Sequence, residues 1–207
     1  AEGERRLMER SNYADVSEGD LEDREAEVNA VIHEWREVDH LWQVKSRSFR
    51  MIFRNGQDIA GPDKAAMEDL RAHPLLVEGV PLHTARAKFL HHHVRSALAY
   101  ASNDLVECER QLVLNMELLR DEQDRFKDET DLLLGVMGNL AYVRMRLGKH
   151  REAVEGFHAF RRVPLLMATA PSADLEMKLF ILGSSLRLSL YTAKGEFLEA
   201  MEEVGEV

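Results

Sequence analysis

Apolar side chains recur every seven residues early in the chain, at Val28, Trp35, Trp42 and Phe49. Together with apolar positions three or four residues further on, this spacing predicts a long helix that starts near Leu21. Lys45 is a polar residue within the stripe, and its alkyl stem can lie along apolar surface. The pair Asn55-Gly56 predicts the helix end, because such residues tolerate a left-handed backbone. We expect the stripe to pack against the rest of the domain, with a coiled coil or a break near residues 43–46 as alternatives.

Turn signals and prolines divide the rest of the chain into shorter segments with helical periodicity. The predicted helices cover residues 62–73, 82–101, 104–125, 129–147, 150–163, 173–193 and 196–206. No segment alternates apolar and polar residues for long, so strands are not expected and the predicted fold class is all-α. The first twenty residues are polar, which predicts a flexible acidic lead over 1–20 and a single helical domain over 21–207.

Three predicted helix pairs share one frame around turns that are 45 and 47 residues apart, at Asn103, Gly148 and Gly195. Five residues after each turn stands a small side chain, in Cys108, Ala153 and Ala200. Nine residues after each turn stands an apolar one, in Leu112, Phe157 and Val204. Seven residues before the turns stand Ser96, Ala141 and Leu188. Small residues let helices cross closely, so this period predicts helix–turn–helix units that stack on one another.

The clearest copy of this unit, residues 134–167, resembles the tetratricopeptide repeat family. Leu140-Ala141 stands where the family has Leu-Gly, and Ala153-x-x-x-Phe157 matches the family's Ala-x-x-x-Phe. Pro164 follows close to the position of the family's closing proline. The resemblance covers about half of the chain, residues 89–207.

The same copy departs from the family pattern at Met137, where Trp is usual, and at Arg144, where Tyr is usual. The turn spacing also exceeds the family period of about 34 residues, which indicates a long-helix variant. With its long leading helix and extended repeats, the chain is similar to tetratricopeptide proteins of Bacteroidetes-type bacteria. The resemblance implies a right-handed superhelix of antiparallel helix pairs, with a concave groove that binds a peptide or a partner helix.

In repeats of this family the first helix of each pair lines the groove, and in the clearest copy that helix carries Asn139, Tyr142, Met145 and Arg146. The Asn139 amide can donate to and accept from a peptide backbone, or it can bridge adjacent helices. Tyr142 and Met145 could anchor a partner, and packing in the core is the alternative role. Arg146 belongs to a basic cluster over 141–162, which is either a solvated face or a site for an acidic or carboxylate-ending peptide.

The distribution of charge bears on the kind of partner. Acidic residues outnumber basic ones by 37 to 27, which gives a formal net charge of −10 and disfavours a nucleic-acid-binding surface. Residues 1–39 carry a net −8 and residues 101–133 a net −6, whereas residues 40–100 carry a net +4. We therefore expect a protein or peptide partner, an acidic one included. The acidic first block could also pair with the basic second block.

The residues that could carry chemistry are few. The single cysteine, Cys108, excludes an intramolecular disulfide framework, and its place at a helix crossing predicts a buried structural thiol. The consecutive residues His91-His92-His93 project about 100° apart around a helix, so they cannot converge on one ion. No catalytic or phosphate-binding motif is present, and we expect no enzyme activity, no cofactor and no metal. No apolar run reaches membrane-spanning length, and we expect a cytoplasmic protein.

These observations predict a non-catalytic scaffold that binds a peptide or a partner helix. The alternative is a sensory or regulatory helical domain of a larger signalling or transcription-control protein. Terminal repeats normally need a polar capping helix, and none follows the last predicted helix. We therefore expect the end bearing Phe197, Met201 and Val204 to be covered by further chain or by self-association.

Overall fold

The computed structural model describes residues 18–55, 62–163 and 172–205, and every regular element within these ranges is helical. The α-helices are α1 (Glu18–Asn55), α2 (Pro62–Arg71), α3 (Ala85–Ala101), α4 (Leu105–Asp121), α5 (Gln123–Phe126), α6 (Thr130–Arg146), α7 (His150–Arg162), α8 (Ala173–Lys194) and α9 (Phe197–Gly205). The predicted all-α class is confirmed. Helix α1 already includes residues 18–20, and the remainder of the predicted flexible lead, 1–17, lies outside the described residues.

Side-chain caps explain where three of the helices begin. The side chains of Thr84, Asp104 and Ser172 each accept a hydrogen bond from the backbone N–H three residues further on, at 3.0, 3.1 and 3.3 Å. Such caps satisfy N–H groups that the first turn of a helix leaves without partners. Helices α3, α4 and α8 therefore begin within three residues of their predicted positions. The segment predicted as one helix over 104–125 is divided at Glu122, whose backbone is not helical.

The predicted turns at Asn103, Gly148 and Gly195 are confirmed. Their φ angles are 59°, 74° and 77°, so all three residues adopt the left-handed conformation that commonly ends a helix. Glycine adopts it freely, and asparagine tolerates it better than most residues with a side chain. Each turn joins two helices that pack against each other, which produces the hairpins α3–α4, α6–α7 and α8–α9.

The hairpins pack in chain order around small residues. Helix α4 contacts α6, and both α6 and α7 contact α8, while α1 packs on α3. A Cβ atom on Gly156 would lie 3.8 Å from Cβ of Ala141, so α6 and α7 approach closely there. The small residues predicted at the crossings are buried at Cys108, Ala153, Ser96 and Ala141, and Ala200 is half-buried.

Helix α1 runs unbroken through residues 43–46 and docks on α3 through Leu41, Val44 and Met51. The prediction that its aromatic stripe packs against the domain is wrong for Trp35 and Trp42, which are 71% and 47% exposed. Other members of the stripe do pack inward, since Val28 is buried and Phe49 is half-buried. Docking has therefore turned the two tryptophans outward.

Two polar residues lie on the docked side of α1, and both have partners. The buried Glu37 carboxylate accepts a hydrogen bond of 3.1 Å from the backbone N–H of His83 and lies 3.2 Å from its ring Nδ1. The buried Ser48 hydroxyl donates to the carbonyl of Val44 at 2.8 Å. These hydrogen bonds replace the bonds to water that Glu37 and Ser48 lose on burial, so both polar side chains can lie on the docked side of α1.

The last hairpin presents an apolar surface. Phe197 and Met201 are 62% and 72% exposed, and Leu198 beside them is exposed as well. The side chain of Val204 lies outside the described residues. Coverage of this end by further chain or by self-association stays a prediction.

The length and apolarity of the helices also bear on membrane insertion. In the described ranges of the chain, no helix combines the length with the apolar character needed to cross a bilayer.

Candidate functional site

A cavity of about 340 Å³ opens where α1, α3, α4 and α6 meet. Its apolar walls are formed by Ala97 of α3, Leu112 of α4 and Val143 of α6, together with Phe49, Ile52 and Phe53 of α1. Polar side chains also line it, namely His93, Ser96, Tyr100, Asn139 and Tyr142. Few polar groups around an apolar interior are typical of sites that bind an apolar group in a fixed orientation.

Two of the residues predicted for the groove, Asn139 and Tyr142, lie at this cavity. Both residues are exposed to solvent. The ring of Tyr142 lies 6.3 Å from the ring of Tyr100, centroid to centroid. Burial and a hydrogen bond with Tyr142 raise the pKa of Tyr100, while the neighbouring Arg146 acts in the opposite direction. The structure thus brings the neutral hydroxyl of Tyr100, the ring of Tyr142 and the Asn139 amide together.

Met145 does not lie at the cavity. Its side chain is 7% exposed and packs with Ala141, Ala153 and Phe157 between α6 and α7. The physical reason is helical spacing, because residues four apart share a side of a helix and Met145 follows Ala141 onto the side that faces α7. Of its two predicted roles, core packing is the one that the structure supports.

Arg146 lies beside this site, and two other members of the predicted basic cluster have a carboxylate partner within the fold. Arg146 is exposed and donates to the Asn103 side-chain oxygen at 3.2 Å. Arg144 and Lys149 both bind the carboxylate of Glu109. Because these two cations already have a carboxylate partner across the α4–α6 boundary, Arg146 is the member of the cluster that remains accessible near the cavity.

Sequence patterns missed the contribution of His93 to the cavity wall. Its imidazole lies between two phenyl rings, 5.2 Å from Phe49 and 5.7 Å from Phe89 between centroids, and nearly parallel to both. Burial, with a smaller contribution from the Lys45 ammonium, lowers the pKa of His93 to about 4. The ring is therefore neutral at physiological pH and acts as an aromatic wall.

The three consecutive histidines serve three different contacts. The Nδ1 of His91 donates to the carbonyl of Leu75, and the Nδ1 of His92 lies 2.7 Å from the side-chain oxygen of Gln111. His93 packs between aromatic rings, as described above. Among the residues that the structure describes, no group of three or more histidine, cysteine or acidic side chains is placed to hold a metal ion.

Cys108 forms part of the cavity floor, and its predicted burial is confirmed at 3% exposure. Burial, with smaller contributions from Asp104 and Glu107, raises the pKa of the thiol to about 12. We expect the native chain to react with a soluble disulfide reagent roughly a thousandfold more slowly than the unfolded chain, because the thiolate is the reactive form. Labelling rates with and without urea measure this, with Cys108→Ser as the background. Equal rates would contradict it.

Scans of protein-family models, of curated proteins and of solved structures each found no match for this chain. The tetratricopeptide resemblance therefore stays a prediction.

Proposed function

We propose that this chain is a non-catalytic, tetratricopeptide-like scaffold that binds a peptide by inserting one apolar side chain into the cavity between α1, α3, α4 and α6. The observation that carries the proposal is the apolar cavity of about 340 Å³ with an amide and two phenols on its wall. This volume is near the lower end of the range for ligand pockets. It suits a single aliphatic or aromatic anchor better than a whole cofactor.

The polar groups beside the cavity suit the backbone of a bound segment. The Asn139 amide can donate to a peptide carbonyl and accept from the next N–H. The hydroxyl of Tyr100 can form a further hydrogen bond. Arg146 adds a positive charge that would favour an acidic residue or a terminal carboxylate next to the anchor. We therefore propose an acidic peptide with one large apolar residue.

The repeat frame is consistent with this role. The hairpins α3–α4 and α6–α7 turn at equivalent residues, Asn103 and Gly148, and bury small residues at equivalent positions. Stacked hairpins of this kind leave an extended surface formed by the first helix of each pair. The candidate contacts Asn139 and Tyr142 belong to such a first helix, α6. A right-handed superhelix is the arrangement that we propose for the stack.

A selection from a random peptide library on the purified chain tests the proposal. We expect enriched peptides to share a large apolar residue flanked by Asp or Glu. Ala97→Trp, which fills the cavity, should abolish their binding. Asn139→Ala should weaken it about tenfold, because one hydrogen bond to a partner is lost. Affinities of the selected peptides are measured by titration calorimetry.

Two variants with the same change of charge separate a specific contact from general electrostatics. Arg146→Glu should weaken binding of the acidic peptides, whereas Arg151→Glu should not, because Arg151 lies on α7 and is 83% exposed. Circular dichroism checks that each variant is folded. Peptides that bind Ala97→Trp as tightly as the unaltered chain, or a selection that enriches no sequence, would contradict the proposal.

A further inference from the structure

Helix α1 carries opposite charges on its two halves. Residues 18–39 contain nine acidic and two basic side chains, whereas residues 40–55 contain four basic and no acidic ones. Among the described residues, no carboxylate pairs with Arg47, and Arg50 donates only to the carbonyl of Ser46 in its own helix. Arg54 pairs with Asp63, so Arg47 and Arg50 are the exposed residues of the basic half that keep unneutralised charge.

The same helix exposes an apolar stripe formed by Val31, Trp35 and Trp42. These residues follow one another at intervals of four and seven, so they share one side of the helix. Leu41 and Val44, which face α3, lie on a different side. Two large indoles at 71% and 47% exposure are unusual for a surface without a partner.

We propose that a second copy of this chain docks on α1 with the two helices antiparallel. A two-fold axis between residues 38 and 39 places Trp35 of each copy against Trp42 of the other. The acidic half of each helix then lies along the basic half of its counterpart. In this register Glu25 of one copy lies beside Arg50 of the second copy, on the same side of the seam.

A second copy fits this surface because the surface is complementary to itself. A two-fold interface uses the same patch on both subunits, so a patch that carries charge is self-complementary when acidic residues lie on one side of the axis and basic residues on the other. Helix α1 has this layout, with the tryptophans between the acidic and basic halves. Opposite charges at the two ends also stabilise an isolated helix through its dipole. That effect does not account for two exposed indoles between the charged halves.

Sedimentation of the full chain over a range of concentrations tests the proposal. We expect a monomer–dimer equilibrium that weakens as salt screens the charges. Trp42→Ala should weaken dimerisation roughly tenfold or more, as loss of a central aromatic contact does. Because Trp35 and Trp42 are the chain's two tryptophans, their fluorescence should shift to shorter wavelength as the dimer forms. A chain that stays monomeric, or a dimer that tolerates Trp42→Ala, would overturn the proposal.

Charge reversal tests the register. Glu25→Arg and Arg50→Glu should each weaken the dimer, because like charges then meet on both sides of the axis. An equimolar mixture of the two variants should restore it, since each contact in the mixed dimer again joins opposite charges. Asp23→Arg is the matched control, because Asp23 lies five helical turns from Leu41 and shares its side of α1, away from the stripe. Failure of the mixture to dimerise would overturn the antiparallel register.

These outcomes are independent of the proposed peptide site. The substitutions in α1 lie outside the cavity, so peptide binding should survive in Trp42→Ala. If the stripe binds a foreign acidic segment and not a second copy, the chain stays monomeric at every concentration. That result would count against the proposal.

Discussion

The Phe160→Ala variant is expected to unfold with a free energy about 3–5 kcal/mol lower than that of the unaltered chain. Phe160 is 1% exposed and packs with Leu134 of α6 and Leu175 of α8. A Cβ atom on Gly183 would lie 3.8 Å from its ring, so α8 passes directly over it. Removing the ring leaves a cavity at the junction of three helices, and the surrounding helices can fill it only in part.

Urea denaturation followed by circular dichroism measures the change. Phe180→Ala is the matched control, because Phe180 lies on α8 but is 54% exposed, and we expect a change within about 0.5 kcal/mol. If Phe160→Ala were as mild as the control, α8 would not be packed on the α6–α7 hairpin in solution.

Local signals predicted the helices and turns well, because their causes lie within a few residues of each other. The cap at Ser172 and the left-handed turn at Gly195 depend on short-range hydrogen bonds and backbone freedom. The orientation of α1 could not be predicted in this way. It depends on contacts between residues far apart in the chain, such as the packing of Leu41 on α3 and the hydrogen bond between Glu37 and His83, 46 positions apart. A periodicity argument places tryptophan inside and glutamate outside, and here tertiary contacts reverse both.

The candidate site was predicted in part for a similar reason. Asn139 and Tyr142 were expected from their place on the first helix of the predicted repeat, and both lie at the cavity. The wall formed by Phe49 and Phe53 comes from α1, outside the repeat frame, and no local pattern relates α1 to α6. Of the two roles predicted for Met145, core packing holds, because its four-residue spacing from Ala141 places it on the side of α6 that faces α7.

Stability should fall between pH 7 and pH 5, with His93 as a main cause. In the unfolded chain the histidine pKa is about 6.5, whereas in the fold it is lowered to about 4. Between these values the unfolded chain binds a proton that the folded chain does not, so lowering the pH favours unfolding. His93 makes its full contribution to the free energy of unfolding well above pH 6.5. About 2 kcal/mol of that contribution is lost at pH 5.

The neighbouring groups act in the same direction. Burial also lowers the pKa values of His91 and His92, so their protonation in the unfolded chain adds to the loss. The positive charge of the Lys45 ammonium on α1 also lowers the pKa of His93, because it opposes a second positive charge nearby. The fold thus keeps a neutral imidazole between Phe49 and Phe89, where a phenyl ring could take its place.

His93→Phe isolates the contribution of this one ring. The variant keeps an aromatic group between Phe49 and Phe89 but cannot bind a proton, so its loss of stability from pH 7 to pH 5 should be smaller by about 2 kcal/mol. Urea denaturation at both pH values measures the difference, and His150→Gln, at an exposed position, serves as the control that should retain the full dependence. An equal loss in His93→Phe and in the unaltered chain would mean that His93 accepts a proton within the fold above pH 5.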